Sequence, residues 1–143
     1  MSERLVTKLS NRKCFTLSED DTLKTASEKL QKYNVGVMPI LSKEQNNVIG
    51  VISERDIARY IFKDEFKSDL SVTTIMSKDI ISCNLNTSVT ELMEIITNNK
   101  IRHIPIMEEK KLLGMISIGD VVNYIIDQYK EENQYLRDYI NKY

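Results

Sequence analysis

The sequence predicts a mixed α/β (α+β) fold built from two β-α-β-β-α repeats packed around a pseudo-two-fold axis, with a long C-terminal helix added. Three observations predict it. The heptapeptide Gly50-Val51-Ile52-Ser53-Glu54-Arg55-Asp56 returns as Gly114-Met115-Ile116-Ser117-Ile118-Gly119-Asp120. Each copy is followed by an apolar pair and then Tyr-Ile: Ile57-Ala58 with Tyr60-Ile61, and Val121-Val122 with Tyr124-Ile125. Residues 14–40 align with 80–106 at a constant offset, and 48–61 align with 112–125 after a two-residue deletion. The deletion falls in a polar stretch, Ser42 to Asn47, where a change of length costs least.

The elements follow in order. Residues 1–12 read as an arm or short helix with Leu5, Val6 and Leu9 on one side. The first repeat spans 13–62. It opens with a β-type run, Cys14-Phe15-Thr16-Leu17, and then capping chemistry at Asp20-Asp21-Thr22. A helix follows with Leu23, Ala26 and Leu30 on its apolar face. The strand Val37 to Leu41 contains Pro39, which suggests an edge or a break in pairing. A third strand, Val48 to Ile52, runs into a helix that begins at Ser53. Residues 63–78 form a linker, within which Val72 to Met76 reads as a short turn docking back on the body. The second repeat, 79–126, repeats the order: Ile80 to Cys83, a cap at Asn86-Thr87-Ser88, and a helix with Val89, Leu92, Met93 and Ile96. The strand Ile104 to Met107, holding Pro105, and the strand Leu112 to Ile116 complete it. No proline or glycine stops the last helix, so residues 127–143 extend it, with Ile126, Tyr129, Leu136, Ile140 and Tyr143 near one stripe. Such a stripe needs a cover, either a second subunit, the favoured reading, or the chain's own body. About fifty residues bury too little apolar surface to stand alone, so the two repeats are expected to share their stability.

Composition narrows the function. The chain has 143 residues, 41% hydrophobic and 29% charged, with a net charge of -1. That is a globular composition, and no global field favours nucleic acid or an anionic membrane. No apolar run reaches the ~20 residues of a membrane-spanning helix, and no signal-like stretch follows Met1. The two cysteines, Cys14 and Cys83, form no metal or redox motif and occupy non-equivalent repeat positions. A reduced, cytoplasmic setting is expected. With four glycines and one histidine, the sequence contains no phosphate-cradling glycine loop, no metal cluster and no nucleophile–base motif. An enzyme is not expected.

The repeated motif offers two readings. Ser-x-x-Asp at a helix start is a capping box, in which Ser accepts from the third N–H and the acid reaches back. It also places a hydroxyl and a carboxylate beside free N–H groups at a positive helix end. A ribose diol can donate to the carboxylate, and a phosphate suits the helix end. Both roles can coexist. The copies are unequal. Arg55 aligns with Gly119, while Arg102 and His103 align with Gly36 and Val37. Arg55 reads either as a phosphate ligand or as a solvated charge. His103 reads either as a ligand contact or as a structural histidine; a metal role is not expected.

Two copies in register, with Gly-apolar-apolar-Ser-x-x-Asp at the last strand–helix junction of each, resemble the CBS domain pair, or Bateman module. Gly50 to Asp56 and Ile101-Arg102-His103-Ile104-Pro105 look like the phrases of stand-alone bacterial members. The resemblance covers residues 14–126. It implies a regulatory module that binds AMP, ADP, ATP, NAD or S-adenosylmethionine in clefts between the repeats and dimerises into a flat disc. It implies that Asp56 and Asp120 hold ribose, with Ser53 and Ser117 near phosphate. The strand with Arg102 and His103 would line the cleft with its basic residues on phosphate. Val35, Val37 and Pro39, or Ile101, Ile104 and Pro105, would offer an apolar slot for the base. Lys13, Cys14, Asp79 and Ile80 match backbone that meets the base edge. The cations favour the second repeat for a nucleoside monophosphate; alternatively, Arg55 serves a ligand held by the second repeat. No cofactor beyond the adenosine ligand is implied, and the effector protein would be a separate, unknown chain. The competing expectation is a structural or assembly module whose Ser-x-x-Asp motifs only cap helices.

Overall fold

The computed structural model describes residues 4–10 and 12–142. Met1, Ser2, Glu3, Asn11 and Tyr143 lie outside the described residues, so the first part of the expected arm and the last member of the C-terminal stripe do too. The elements are α1 (Leu5–Leu9), β1 (Leu17–Ser18), α2 (Leu23–Tyr33), β2 (Val37–Leu41), β3 (Val48–Ser53) and α3 (Glu54–Ile61). A turn of 3-10 helix, Val72–Thr74, precedes α4 (Val89–Asn99), β4 (His103–Glu108), β5 (Lys111–Ser117) and α5 (Ile118–Lys142).

Local chemistry sets the equivalent helices alike. Thr22 caps α2, its hydroxyl accepting from the Thr25 N–H at 3.2 Å. Ser88 caps α4 in a reciprocal box with Glu91. Both helices end in a left-handed residue, Asn34 with φ 53° and Lys100 with φ 54°, at matching repeat positions. The apolar faces read from spacing are the buried ones. Leu23, Ala26 and Leu30 enter the first core, with Met38, Ile40, Ile52 and Ile57. Leu92 and Ile96 enter the second, with Ile104, Ile106, Ile116 and Val121.

Two strand expectations need correction. The first β-type run of each repeat is shorter than expected. In the first repeat only Leu17–Ser18 pairs, parallel to β2. In the second it shrinks to a single bridge, Cys83 with Ile106. The described sheets are therefore β1-β2-β3 and β4-β5. The proline expectation also fails in part, because β2 is the central strand of its sheet. Val51, opposite Pro39, turns its N–H and carbonyl to Ser77, so this pair exchanges no ladder bonds and the proline nitrogen faces away from β3. On the other side, β1 starts pairing only at Ile40. In the second repeat Cys83 uses the Pro105 carbonyl and the Met107 N–H, so no donor is required at residue 105.

The repeats clasp one another through the segments that lead into them. The N-terminal arm packs on the second repeat, with Leu5 and Val6 inside its core. The linker packs on the first, with Val72 fully buried in its core beside Leu70, Ile75 and Met76. Glycine permits both close approaches. A Cβ at Gly50 would lie 2.5 Å from Met76 Sδ and 2.9 Å from the Ser77 carbonyl oxygen. A Cβ at Gly114 would lie 2.9 Å from the Leu9 carbonyl oxygen. The Val48 N–H also donates across the repeats to the Lys110 carbonyl at 2.9 Å.

The C-terminal helix runs for 25 residues, about 37 Å at ~1.5 Å per residue. Its start packs on the second core through Val121 and Tyr124. Ile126, Tyr129, Leu136 and Ile140 are exposed, so the chain's own body does not cover this stripe.

Candidate functional site

The two repeats enclose one cleft of about 1180 Å³. Both Ser-x-x-Asp motifs open onto it, because each sits where the last strand of a repeat turns into a helix. In the first repeat the Asp56 N–H donates to Ser53 Oγ at 3.1 Å, and the Ser53 N–H donates to Asp56 Oδ2 at 2.9 Å. In the second repeat the same bonds join Asp120 and Ser117 at 3.1 and 2.8 Å. Both are complete capping boxes, so the capping reading is correct as far as it goes. It does not consume the carboxylates, since each box uses one Asp oxygen.

The surroundings of the two carboxylates differ. Arg12 lies fork-to-fork on Asp120, with Nη1 donating to Oδ1 at 3.0 Å and Nη2 to Oδ2 at 2.8 Å. The same Nη2 donates to the Met115 carbonyl at 2.9 Å. Burial favours a neutral Asp120. The Arg12 hydrogen bonds, those from Ser117 and the Arg12 charge outweigh it, and the carboxyl sits below its ordinary pKa. Among the described residues Asp56 makes no ion pair.

The other expected residues separate into those that reach the cleft and those that do not. Lys13, Val35, Val37, Arg55, Ile101, Arg102, His103 and Pro105 all line it. So do Cys14 and Asp79, while at the next strand the lining residue is Ile81 rather than Ile80. Pro39 and Ile104 do not line the cleft; Ile104 is fully buried in the second core. Period-two alternation explains Ile104, whose neighbours His103 and Pro105 face the cleft; Pro39 shares the parity of Val37 and still does not line it. His103 sits across the cleft against the first repeat, its Cε1 3.6 Å from where a Cβ on Gly36 would be. Burial holds its imidazole below the ordinary pKa; the Asp120 and Glu54 charges oppose this and that of Arg102 adds to it.

Sequence reasoning missed Arg12, Glu54, Arg59 and Lys100, all of which line the cleft. Arg59 was within reach, since it follows Arg55 by four residues and shares its helix face. Lys100 carries the left-handed cap that ends α4. Nothing in the sequence pairs Arg12 with a residue 108 positions away. Cations thus come from both repeats and from the arm: Arg12, Lys13, Arg55, Arg59, Lys100 and Arg102. Among the described residues no group of His, Cys, Asp and Glu is arranged to hold a metal ion.

Two equivalent repeats, exchanging their lead-in segments and enclosing one polar-rimmed cleft, define a tandem-repeat module with a cleft between its copies. The CBS domain family model matches residues 6–63 and 72–127, and the chain belongs to that family. It is similar to the CBS domain-containing protein CBSX3, mitochondrial, of Arabidopsis thaliana, at 36% identity over 125 residues. That match covers 85% of this chain and 61% of the Arabidopsis protein, so the chain spans less than two thirds of that relative. The CBS domain-containing protein YhcV of Bacillus subtilis is 28% identical over 74% of each chain. Among solved structures, the CBS-domain protein ATU1752 of Agrobacterium tumefaciens superposes with a TM-score of 0.73 at 29% identity, covering 83% of this chain and 94% of that one. The CBS domain pair of MJ0100, solved with 5-methylthioadenosine and S-adenosyl-L-methionine, shares the fold with a TM-score of 0.77 at 18% identity, covering 89% and 99%. No described helix is long and apolar enough to cross a membrane.

Proposed function

We propose that the chain is a non-catalytic sensor of adenine nucleotides, which bind in the cleft between its repeats. The observation that carries this reading is the single cleft of about 1180 Å³ into which each repeat sends a Ser–Asp box. Asp56 and Asp120 accept the ribose hydroxyls while still capping their helices. Arg55 and Arg102, with His103, Ser53 and Ser117 beside them, meet phosphate. Val35, Val37, Ile101 and Pro105 flank the base, and the backbone at Lys13 approaches its edge. That the MJ0100 pair was solved with two adenosine compounds supports the ligand class. AMP, ADP, ATP and NAD are the candidates. Occupancy changes how the repeats pack, through unequal affinity for two arrangements, and a separate effector protein reads the change.

The working unit in this proposal is a homodimer, in which a second copy covers the exposed stripe of α5. Leu136 and Ile140, 60% and 69% exposed in the single chain, lie with Ile126 and Tyr129 along one exposed apolar stripe, the kind of patch that marks an interaction surface. Two free thiols, Cys14 and Cys83, fit a reducing compartment such as the cytoplasm.

Calorimetry and thermal shift against AMP, ADP, ATP, NAD and S-adenosylmethionine test the ligand reading. Saturable binding is expected for at least one, and none for any of the five would overturn it. The complete capping boxes favour one competitor, an assembly module with no ligand. In that case substitutions of Asp56 and Asp120 lower stability and change no binding.

A further inference from the structure

The two ribose-accepting carboxylates are not equally free. An ionised carboxylate has about four acceptor positions. Asp56 spends one, on the Ser53 N–H, and can still take both hydrogens of a diol. Asp120 spends three, on the Ser117 N–H and on two nitrogens of Arg12. One position remains, too few for a diol. A nucleoside can therefore dock on Asp120 only after the guanidinium leaves.

Arg12 can leave without unseating the arm. It follows the crossing of Gly114 by Leu9, which packs half-buried against the second core, and by Ser10, while Leu5 and Val6 anchor the arm from further back. The equivalent of Arg12 in the second repeat is Lys78, which follows the crossing of Gly50 by Met76 and Ser77. Lys78 is exposed and forms no ion pair among the described residues, so the first repeat's site has no counterpart of this contact.

We propose that Arg12 is an internal competitor for the nucleotide site of the second repeat, so that this site fills only as the guanidinium lets go of Asp120 and the backbone at Ser10 and Arg12 lifts off β5. This deepens the nucleotide-sensing reading and rests on it. The first repeat then fills at lower ligand concentration and the second at higher, which reverses the order that Arg102 and His103 alone suggest. The displaced guanidinium, still tethered beside the cleft, becomes available to an anionic phosphate. Lifting of Ser10 and Arg12 gives occupancy of the second site a readable surface change.

Calorimetry with AMP and with ATP, on the full chain carrying Asp56→Ala to silence the first repeat's site, isolates the second site. Adding Arg12→Gln is expected to tighten binding there by roughly tenfold or more, the scale of one charge-assisted competitor removed. Equal or weaker binding in the double variant overturns the competitor role, since Arg12 would then be a bystander or a ligand contact. No binding of either nucleotide to the unsubstituted chain overturns the sensing reading, and the competition falls with it. Hydrogen exchange gives an independent readout at the Ser10 and Arg12 amides, which donate to the Val6 and Leu9 carbonyls at 3.0 and 3.1 Å. Saturating nucleotide should speed their exchange in the unsubstituted chain. In Arg12→Gln exchange should already be fast without ligand, and protection unchanged by both treatments overturns the lifting of the segment.

Discussion

Val51 and Ser77 exchange two backbone hydrogen bonds, at 3.0 and 2.8 Å, and so stitch the linker onto the outer edge of β3. The stitch lies beside Gly50, where the linker backbone leaves no room for a Cβ. Gly50→Ala should therefore cost about 1–3 kcal/mol, the range for overpacking a close contact. Adding Met76→Ala removes the side-chain part of the clash but leaves the Ser77 carbonyl in place, so rescue should be partial. Denaturant unfolding of the two variants measures both effects, and a neutral Gly50→Ala would show that the linker does not hold this position.

The capping and binding roles of the first motif separate by substitution. Ser53→Ala removes the acceptor for the Asp56 N–H and should cost about 0.5–2 kcal/mol of stability. Asp56→Ala should cost a similar amount and also weaken AMP binding at the first repeat's site by tenfold or more, on the scale of a lost charged acceptor. If calorimetry finds affinity for AMP equally preserved in both variants, Asp56 is a cap and nothing further.

His103 gives the fold a defined response to acid. Its folded pKa lies below the ordinary value of about 6.5, chiefly through burial. The unfolded chain thus takes the proton more readily than the folded one. The contribution of the neutral ring is fully present above about pH 6.5 and is lost as pH falls from there toward the depressed folded value. Thermal unfolding between pH 7.5 and 5 should show a decline in Tm that His103→Gln reduces. An identical pH slope in that variant would remove His103 as its source.

The two thiols should react in a fixed order. Burial pushes Cys83 up to about 11 and leaves it almost closed to solvent. Cys14 is raised as well, by burial against the pull of Arg12, but it is half-exposed and lines the cleft. An aromatic disulfide reagent at pH 8 should label Cys14 first, because the thiolate must form and be reached. Saturating AMP should slow that labelling. Equal rates with and without nucleotide would place the ligand away from Cys14.

The exposed stripe of α5 predicts an assembly defect. Removing residues 128–143 deletes Tyr129, Leu136 and Ile140, none of which enters either core. Light scattering should find a homodimer for the intact chain and a monomer for the truncated one, with little loss of secondary structure in the two repeats. A truncated dimer would move the interface elsewhere.

Much of the fold was legible because periodicity and duplication are local signals. Leu23, Ala26 and Leu30 announce their buried face by spacing alone, and Ser53 and Asp56 announce a helix start. The first strands were overestimated because β-type composition in Ile80 to Cys83 does not supply a partner; pairing depends on what lies opposite. Pro39 misled for the same reason, since the sequence does not say that Val51 turns its hydrogen bonds the other way. The cleft residues were mostly found through the register of the two copies, while in the lead-in to the second repeat the lining side chain is Ile81, the neighbour of Ile80. Arg12 was invisible, because its meaning depends on Asp120, a contact made by the chain's path through space and not by any local pattern.

That path also separates the repeated unit from the unit that folds. Each repeat wears a piece of chain that sequence order assigns to the approach of the other. A fragment cut near residue 70 would carry a complete first repeat but lack the strand edge supplied by Met76 and Ser77, while Leu5 and Val6 would be left with no core to enter. The two halves expressed separately are then expected to be poor proteins alone and good complements together. A duplicated gene of this design locks its copies into mutual dependence: once the lead-ins crossed, neither copy could be lost without unclasping the one that remained.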